Sequence, residues 1–223
     1  MSGKYPILTF FIALSHGFLL KPYGDSIIRG KEIPMMFVKP DIYAVSCTIE
    51  IFIKQVYERF YKVKEGDIVV DVGANVGMFT VKAALSVGDK GKVIAIEPIE
   101  ENFELLKRNI EFHNLNNVYI IRKAIGRKKG KTTMIKSLLS ATHQLKEIKD
   151  FKNPEFSIQE VDVEVDTLDN IVKEFSINRI DLLKIDVEGA ELEVLKGAKE
   201  SLKITRNIAM ELHGKNEEIK RFS

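Results

Sequence analysis

Short, nearly continuous apolar runs constrain this chain most. IVVDVGA (68–74), KVIAIEP (92–98), VYIIRKAI (118–125), IDLLKIDV (180–187) and NIAMELH (207–213) each have strand length. Alternating patterns suit strands with one wet face; continuous runs suit strands covered on both faces, as in a parallel sheet. Helical spacing fills the gaps. Met78 to Val87 reads as helix, and Phe103, Leu106 and Ile110 share one face of a helix from about Glu100 to His113. Leu168, Ile171, Val172 and Phe175 mark another, capped by Asp166 or Thr167. Leu192, Leu195 and Leu202 mark the helix after the fourth run. Ile49, Phe52, Ile53, Val56 and Phe60 predict an amphipathic helix ahead of the first. This alternation predicts an α/β fold with an open parallel sheet and helices on both faces. KTTMIKS (131–137) and VDVEV (161–165) interrupt it as an extra antiparallel excursion, with a loop near Leu138 to Glu155 between them.

With 223 residues, 45% hydrophobic and 30% charged, the chain can build one large core and a well-solvated surface. A net charge of +2 does not argue for nucleic acid, and the basic run Arg127–Lys131 reads as a solvated turn. The single Cys47 excludes an intrachain disulfide and fits a reducing compartment. Residues 1–48 lack a clear period, are punctuated by Pro22, Pro34 and Pro40, and read as an N-terminal capping segment. Within them, PILTFFIALS (6–15) is too short to span a bilayer, so no stable membrane insertion is expected. A signal-peptide core cleaved near Ala13–Ser15 is the alternative reading.

The first run ends in Asp71-Val72-Gly73-Ala74-Asn75-Val76-Gly77, followed by a helix. In open α/β sheets ligands bind beyond the carboxyl ends of the strands. Glycines there let the backbone turn sharply and approach a ligand. A dinucleotide fingerprint would need glycine where this chain has Asn75 and Met78, so the pyrophosphate seat is missing. Glu97 ends the next strand, where an acid can accept both hydroxyls of a ribose. Together these point to a nucleoside ligand without phosphates, S-adenosylmethionine (SAM) being the obvious one.

VVDVGANVGMFT, VIAIEPIEENFELLKRNIEFHN, DTLDNI, IDLLKIDVEGAELEVLKGA and AMELH, in that order, resemble the FkbM family of SAM-dependent methyltransferases. The likeness runs from about Glu50 to His213. It implies a class I, Rossmann-like fold with strand order 3-2-1-4-5, a methyltransferase domain over 49–223, and methyl transfer, commonly to a hydroxyl of a sugar, glycan or polyketide-like molecule. Carried over, Asp71, Gly73, Ala74, Asn75 and Gly77 would hold the methionine part of SAM. Glu97 would take the ribose, and Lys123 and Ala124 would edge the adenine. The resemblance also implies a final β-hairpin, for which only about ten residues remain after His213, so that hairpin is read as short or missing. The last strand would then need cover from the N-terminal segment or from a second subunit in a homodimer.

In LLKIDVEGAE (182–191) a buried strand ends in acids. Carboxylates there are costly unless solvated, paired or used. Asp186, Glu188, Glu211 and His213 fall at predicted strand ends on one edge, with Asp186 or His213 as candidate base. Glu191 reads as an ordinary acid in a first helical turn. Asp186 with Glu211 is a thin basis for Mg²⁺, and no metal ligand set is assigned. The leading reading is a SAM-dependent O-methyltransferase acting on a glycan or other small molecule. It would be cytoplasmic, where SAM is made. A non-catalytic SAM-binding module and a nucleotide-cofactor oxidoreductase are the competing readings.

Overall fold

The computed structural model describes residues 26–30, 33–38, 42–137, 144–145 and 157–213. The apolar stretch 6–15, most of the 138–155 loop and everything after His213 lie outside the described residues, with the readings placed on them. Element order is β1 (Ser26–Gly30), β2 (Ile33–Val38), α1 (Ile42–Thr48), β3 (Ile68–Val72), α2 (Met78–Val87), β4 (Lys92–Ile96), α3 (Glu100–Phe112), β5 (Val118–Ile121) and β6 (Ala124–Ile125). There follow β7 (Gly130–Ser137), β8 (Gln144–Leu145), β9 (Ser157–Asp166), α4 (Leu168–Glu174), β10 (Leu182–Ile185), α5 (Glu191–Lys196), α6 (Lys199–Lys203) and β11 (Ile208–Met210).

The apolar runs form a five-stranded sheet in the order β11-β10-β3-β4-β5. Every neighbouring pair is parallel. The pleat explains why the runs are continuous. Val70, Val72, Ile94, Ile96, Leu183 and Ile185 pack on one face with Leu168, Ile171, Val194 and Leu195. Val69, Val93 and Leu182, of opposite parity, pack on the other face with Phe79, Ala83, Ala84 and Val87 of α2. The three central strands β3, β4 and β10 are therefore covered on both sides, and each buried Val, Leu or Ile contributes about 1.5–3 kcal/mol. Asp71 and Lys184 share the parity of the α2 face, so both point into the protein.

The antiparallel excursion forms a second sheet, β6-β9-β7-β8. β7 and β9 pair antiparallel from Gly130↔Val165 to Ser137↔Ser157. Their alternation buries Met134 and Val163 against Ile99. The run VYIIRKAI, expected as one strand, is split between the sheets. Residues 118–121 pair with β4 and residues 124–125 with β9. Arg122 and Lys123 make the break, because neither charge can be covered on both faces. Arg122 instead pairs with Glu100 at 2.9 Å, and Lys123 with Asp166 at 2.8 Å.

The helix expected over 49–60 is also corrected. Helical structure starts at Ile42, widens into a π turn over Ile49–Lys54, and ends at Gln55, whose φ is 50°. One tight turn follows at Val56–Glu58. The wide turn breaks the 3.6-residue register, so Ile51 and Phe52 pack inward while Phe60 is 95% exposed. β1 and β2 form a hairpin whose Met36, Phe37 and Val38 pack with Val76, Met78, Val81 and Leu105. Asn109 of α3 clamps it. Its Oδ1 accepts from Phe37 N–H at 2.7 Å, and its Nδ2 donates to Phe37 O and Val76 O. The helix expected to carry Leu192 through Leu202 is two short ones. They part at Gly197, where a Cβ would fall 2.0 Å from Gly126 O.

Candidate active site

The carboxyl ends of β3, β4 and β10 open into a cavity of about 320 Å³. Of the residues expected there, Gly73, Ala74, Asn75, Glu97, Lys123, Ala124, Asp186 and Glu188 line it. Asp71, Gly77 and His213 are not among its lining residues. Gly77 turns the chain with φ 87°, and its bare Cα lies against Leu106 of α3. Asn75 stands where the dinucleotide loop has glycine, and takes a left-handed conformation, with φ 52°. Asparagine tolerates that region better than most residues.

Glu97 is the anchor of the glycine-loop side. It is 5% exposed. Its Oε2 accepts from Asn75 N–H at 2.9 Å, and its Oε1 accepts from Ile99 N–H at 3.0 Å and Asn102 Nδ2 at 3.3 Å. Burial pushes its carboxyl up to about 7, against the pull of the two backbone N–H groups.

Beneath the loop lies a buried charge pair. Lys184 and Asp71 are 3% and 0% exposed. The ammonium lies 3.1 Å from Asp71 Oδ1 and donates to Gly73 O at 2.6 Å. Thr80 Oγ1 donates to Asp71 Oδ2 at 2.6 Å. Burial works to lower the Lys184 pKa, but Asp71 and Asp186 outweigh it and the ammonium is held charged. Asp71 therefore supports the loop from within the sheet and reaches the cavity through Lys184.

The acids of LLKIDVEGAE separate by environment. Asp186 accepts a 2.6 Å hydrogen bond from Tyr57, whose ring packs edge-on against Phe79. Burial, and then Asp186, push the Tyr57 phenol far up, so it stays a donor. Glu188 turns the chain with φ 52°. Burial raises it to about 7, although His213 opposes this. Glu191 is not an ordinary first-turn acid. It is 0% exposed, accepts from Gly189 N–H, and lies 2.8 Å from His213 Nδ1. That contact pushes His213 up to about 9, so at neutral pH the ring is an imidazolium beside Glu188 and Glu211. Ligand atoms of Asp186, Glu211 and His213 all lie within 4.8 Å of one another, a span that a divalent cation bridges. A ring nitrogen ligates only when unprotonated, and the upward shift of His213 works against that.

Tyr57, Lys184 and Asn102 also line the cavity and escaped the sequence reading. Tyr57 carried no signal, since it meets an acid 129 positions away. Lys184 is one charge within an apolar run, and nothing along the chain marks its contact with Gly73 O, 111 positions away. Asn102 did leave a trace: with Asn109 it puts an amide on the buried stripe of an otherwise apolar helix face.

A sequence profile of the methyltransferase FkbM domain matches residues 71–222. The chain belongs to this FkbM methyltransferase domain family. Two methyltransferases also match in sequence. Methyltransferase 1 of Beauveria bassiana is 31% identical over 179 residues, covering 73% of this chain and 71% of that protein. Methyltransferase sdnD of Sordaria araneosa is 29% identical over 188 residues, covering 73% and 72%. Among solved structures, an FkbM methyltransferase from Methylobacillus flagellatus is 18% identical, with a TM-score of 0.46. That match covers 72% of this chain, which spans 38% of that protein's length.

Proposed function

We propose that this FkbM-family chain moves a methyl group from SAM to a hydroxyl of a sugar, glycan or other small molecule. The observation that carries this reading is one cavity with two unlike ends. At one end Glu97 is held by the backbone of the glycine loop; at the other stand Asp186 and Glu188. The lining suits a nucleoside cofactor. Gly73 and Ala74 line the cavity with little side chain, and Asn102 presents a buried Oδ1 without a hydrogen-bond partner among the described residues. Bound SAM would supply a methyl group already activated by its sulfonium charge.

The chain's own work is then alignment and proton removal. Glu97 binds the ribose, and Lys123 and Ala124 flank the base. Glu188, raised to about 7, suits a proton acceptor working near neutral pH. Asp186, fixed by Tyr57, orients the acceptor or shares the proton. Ala44, Cys47, Glu50 and Ile51 also line the cavity, so α1 and the wide turn after it serve as a cap over the acceptor end of the methyltransferase domain. The outer edge of β11, unpaired among the described residues, is where a homodimer would form, and the reading places the enzyme in the cytoplasm with its cofactor.

The test is incubation with methyl-labelled SAM and a panel of hydroxyl-bearing glycans, products being read by mass spectrometry. Asp186→Asn and Glu188→Gln should each lower kcat by about 10²-fold or more while leaving S-adenosylhomocysteine (SAH) binding within about threefold. Label found on nitrogen would overturn the hydroxyl assignment. Tight SAH binding with no turnover across the panel would favour a binding module, and binding of NAD instead of SAH would revive the oxidoreductase reading.

Glu97 adds a pH prediction. Ribose hydroxyls donate, so the carboxylate form binds and its protonation competes. With the carboxyl near 7, SAH affinity should fall as pH drops through neutrality, by about tenfold between pH ~8 and pH ~6. Calorimetry at the two pH values should show this in wild type, and Glu97→Gln should flatten the profile. A wild-type affinity independent of pH would remove Glu97 from the ribose site.

A further inference from the structure

Asn102 sits on α3 with 1% of its surface exposed, and lines the cavity beside Glu97. Its amide orientation is set by its neighbour: Nδ2 donates to Glu97 Oε1 at 3.3 Å, and the reverse orientation would press two acceptors together. Oδ1 is thereby left buried, with no hydrogen-bond partner among the described residues. A buried carbonyl without a donor costs about 1–3 kcal/mol. It is the kind of group that a ligand satisfies.

Counting lone pairs says which ligand group does so. A carboxylate offers about four acceptor sites. Glu97 already accepts three N–H bonds, from Asn75, Ile99 and Asn102. Two of them fall on Oε1, so room for one more donor remains, on Oε2. A ribose cis-diol brings two O–H donors, one more than Glu97 can take. We propose that Glu97 and Asn102 divide a nucleoside cis-diol between them, one hydroxyl donating to Glu97 Oε2 and the other to Asn102 Oδ1. Asn102 is on this account a direct ligand-binding residue, and a determinant of selectivity for ribosides over deoxyribosides. The inference rests on the SAM reading above.

The experiment is calorimetry on the full chain, wild type and Asn102→Leu, with SAH, its 2′-deoxy and 3′-deoxy analogues, and the deaminated S-inosylhomocysteine. Leucine is close in shape and replaces the unsatisfied carbonyl with an apolar group, so the apo variant should melt close to wild type. SAH should bind Asn102→Leu about tenfold more weakly than wild type. One deoxy analogue should bind both proteins equally, because it lacks the hydroxyl that Asn102 accepts. The other should keep the tenfold difference. Equal losses with SAH and both deoxy analogues, or no loss with SAH, would overturn the inference while leaving SAM as cofactor. A difference that vanishes only with the deaminated analogue would move Asn102 to the adenine amine and overturn the diol assignment. If Asn102→Leu does not fold, Asn102→Ala takes its place in the same comparison. Failure of SAH to bind wild type would remove the SAM reading and this inference with it.

Discussion

Gly73→Ala is expected to destabilise the protein by about 2–5 kcal/mol and to abolish SAH binding at accessible concentrations. Two independent costs add. Gly73 has a φ of 80°, where an L-residue loses about 1–2 kcal/mol. A Cβ there would also fall 1.9 Å from Asp186 O and 2.9 Å from its carbonyl carbon. Neither is a flexible tip that can step aside. Asp186 N–H itself bonds Val72 O at 3.1 Å, and Gly73 N–H bonds Ile96 O at 3.0 Å, so β3, β4 and β10 converge on this one Cα. Forcing them apart costs about 1–3 kcal/mol more and moves the loop that holds Glu97. For a chain of this length the melting temperature should drop by roughly 5–15 °C. Gly66→Ala is the control. Its φ is 81°, but nothing lies within 4 Å of the added carbon, so only the smaller backbone cost applies. Equal melting shifts for the two variants would show that the contact with Asp186 is not tight.

Lys184→Met should cost about 3–5 kcal/mol in urea denaturation, because removing one partner of a buried ion pair strands the other. Among the described residues Asp71 would keep only the Thr80 hydroxyl, at a position of 0% exposure. The variant also removes the donor to Gly73 O, so SAH affinity should fall with stability. Asp71→Asn combined with Lys184→Met removes both charges. The double variant should recover much of the stability, since apolar replacement of a buried pair is often close to neutral. It should not recover SAH affinity, because the loop carbonyl stays without its ammonium. A double variant no more stable than the single would mean that Lys184 acts by packing rather than by pairing.

The local patterns carried a large share of the architecture. The helix over Met78 to Val87 lies where its sequence places it, and β3, β4, β10 and β11 fall within the apolar runs. Gly73 and Glu97 were readable as a linked pair because both features are local: a loop after one buried strand, and an acid at the end of the next. The misreadings share a cause. VYIIRKAI looked like one strand because the pairing of Lys123 with Asp166, 43 positions on, is invisible along the chain. The helix expected over 49–60 failed because a wide turn shifts register without changing composition.

The acids show the division most clearly. Sequence alone determined that carboxylates would stand at the end of a buried strand, since a continuous apolar run must be covered and LLKIDVEGAE stops abruptly in charge. It also determined the turn, through Gly73 and the acid of the following strand. Only the tertiary structure decided what each acid became. Asp71 is paired by Lys184, Asp186 is held by Tyr57, Glu188 is pushed up to about 7, and Glu191 is locked on an imidazolium. Charge state and partnership depend on burial and on distances of a few ångströms between residues far apart in the chain, and the fold alone sets those.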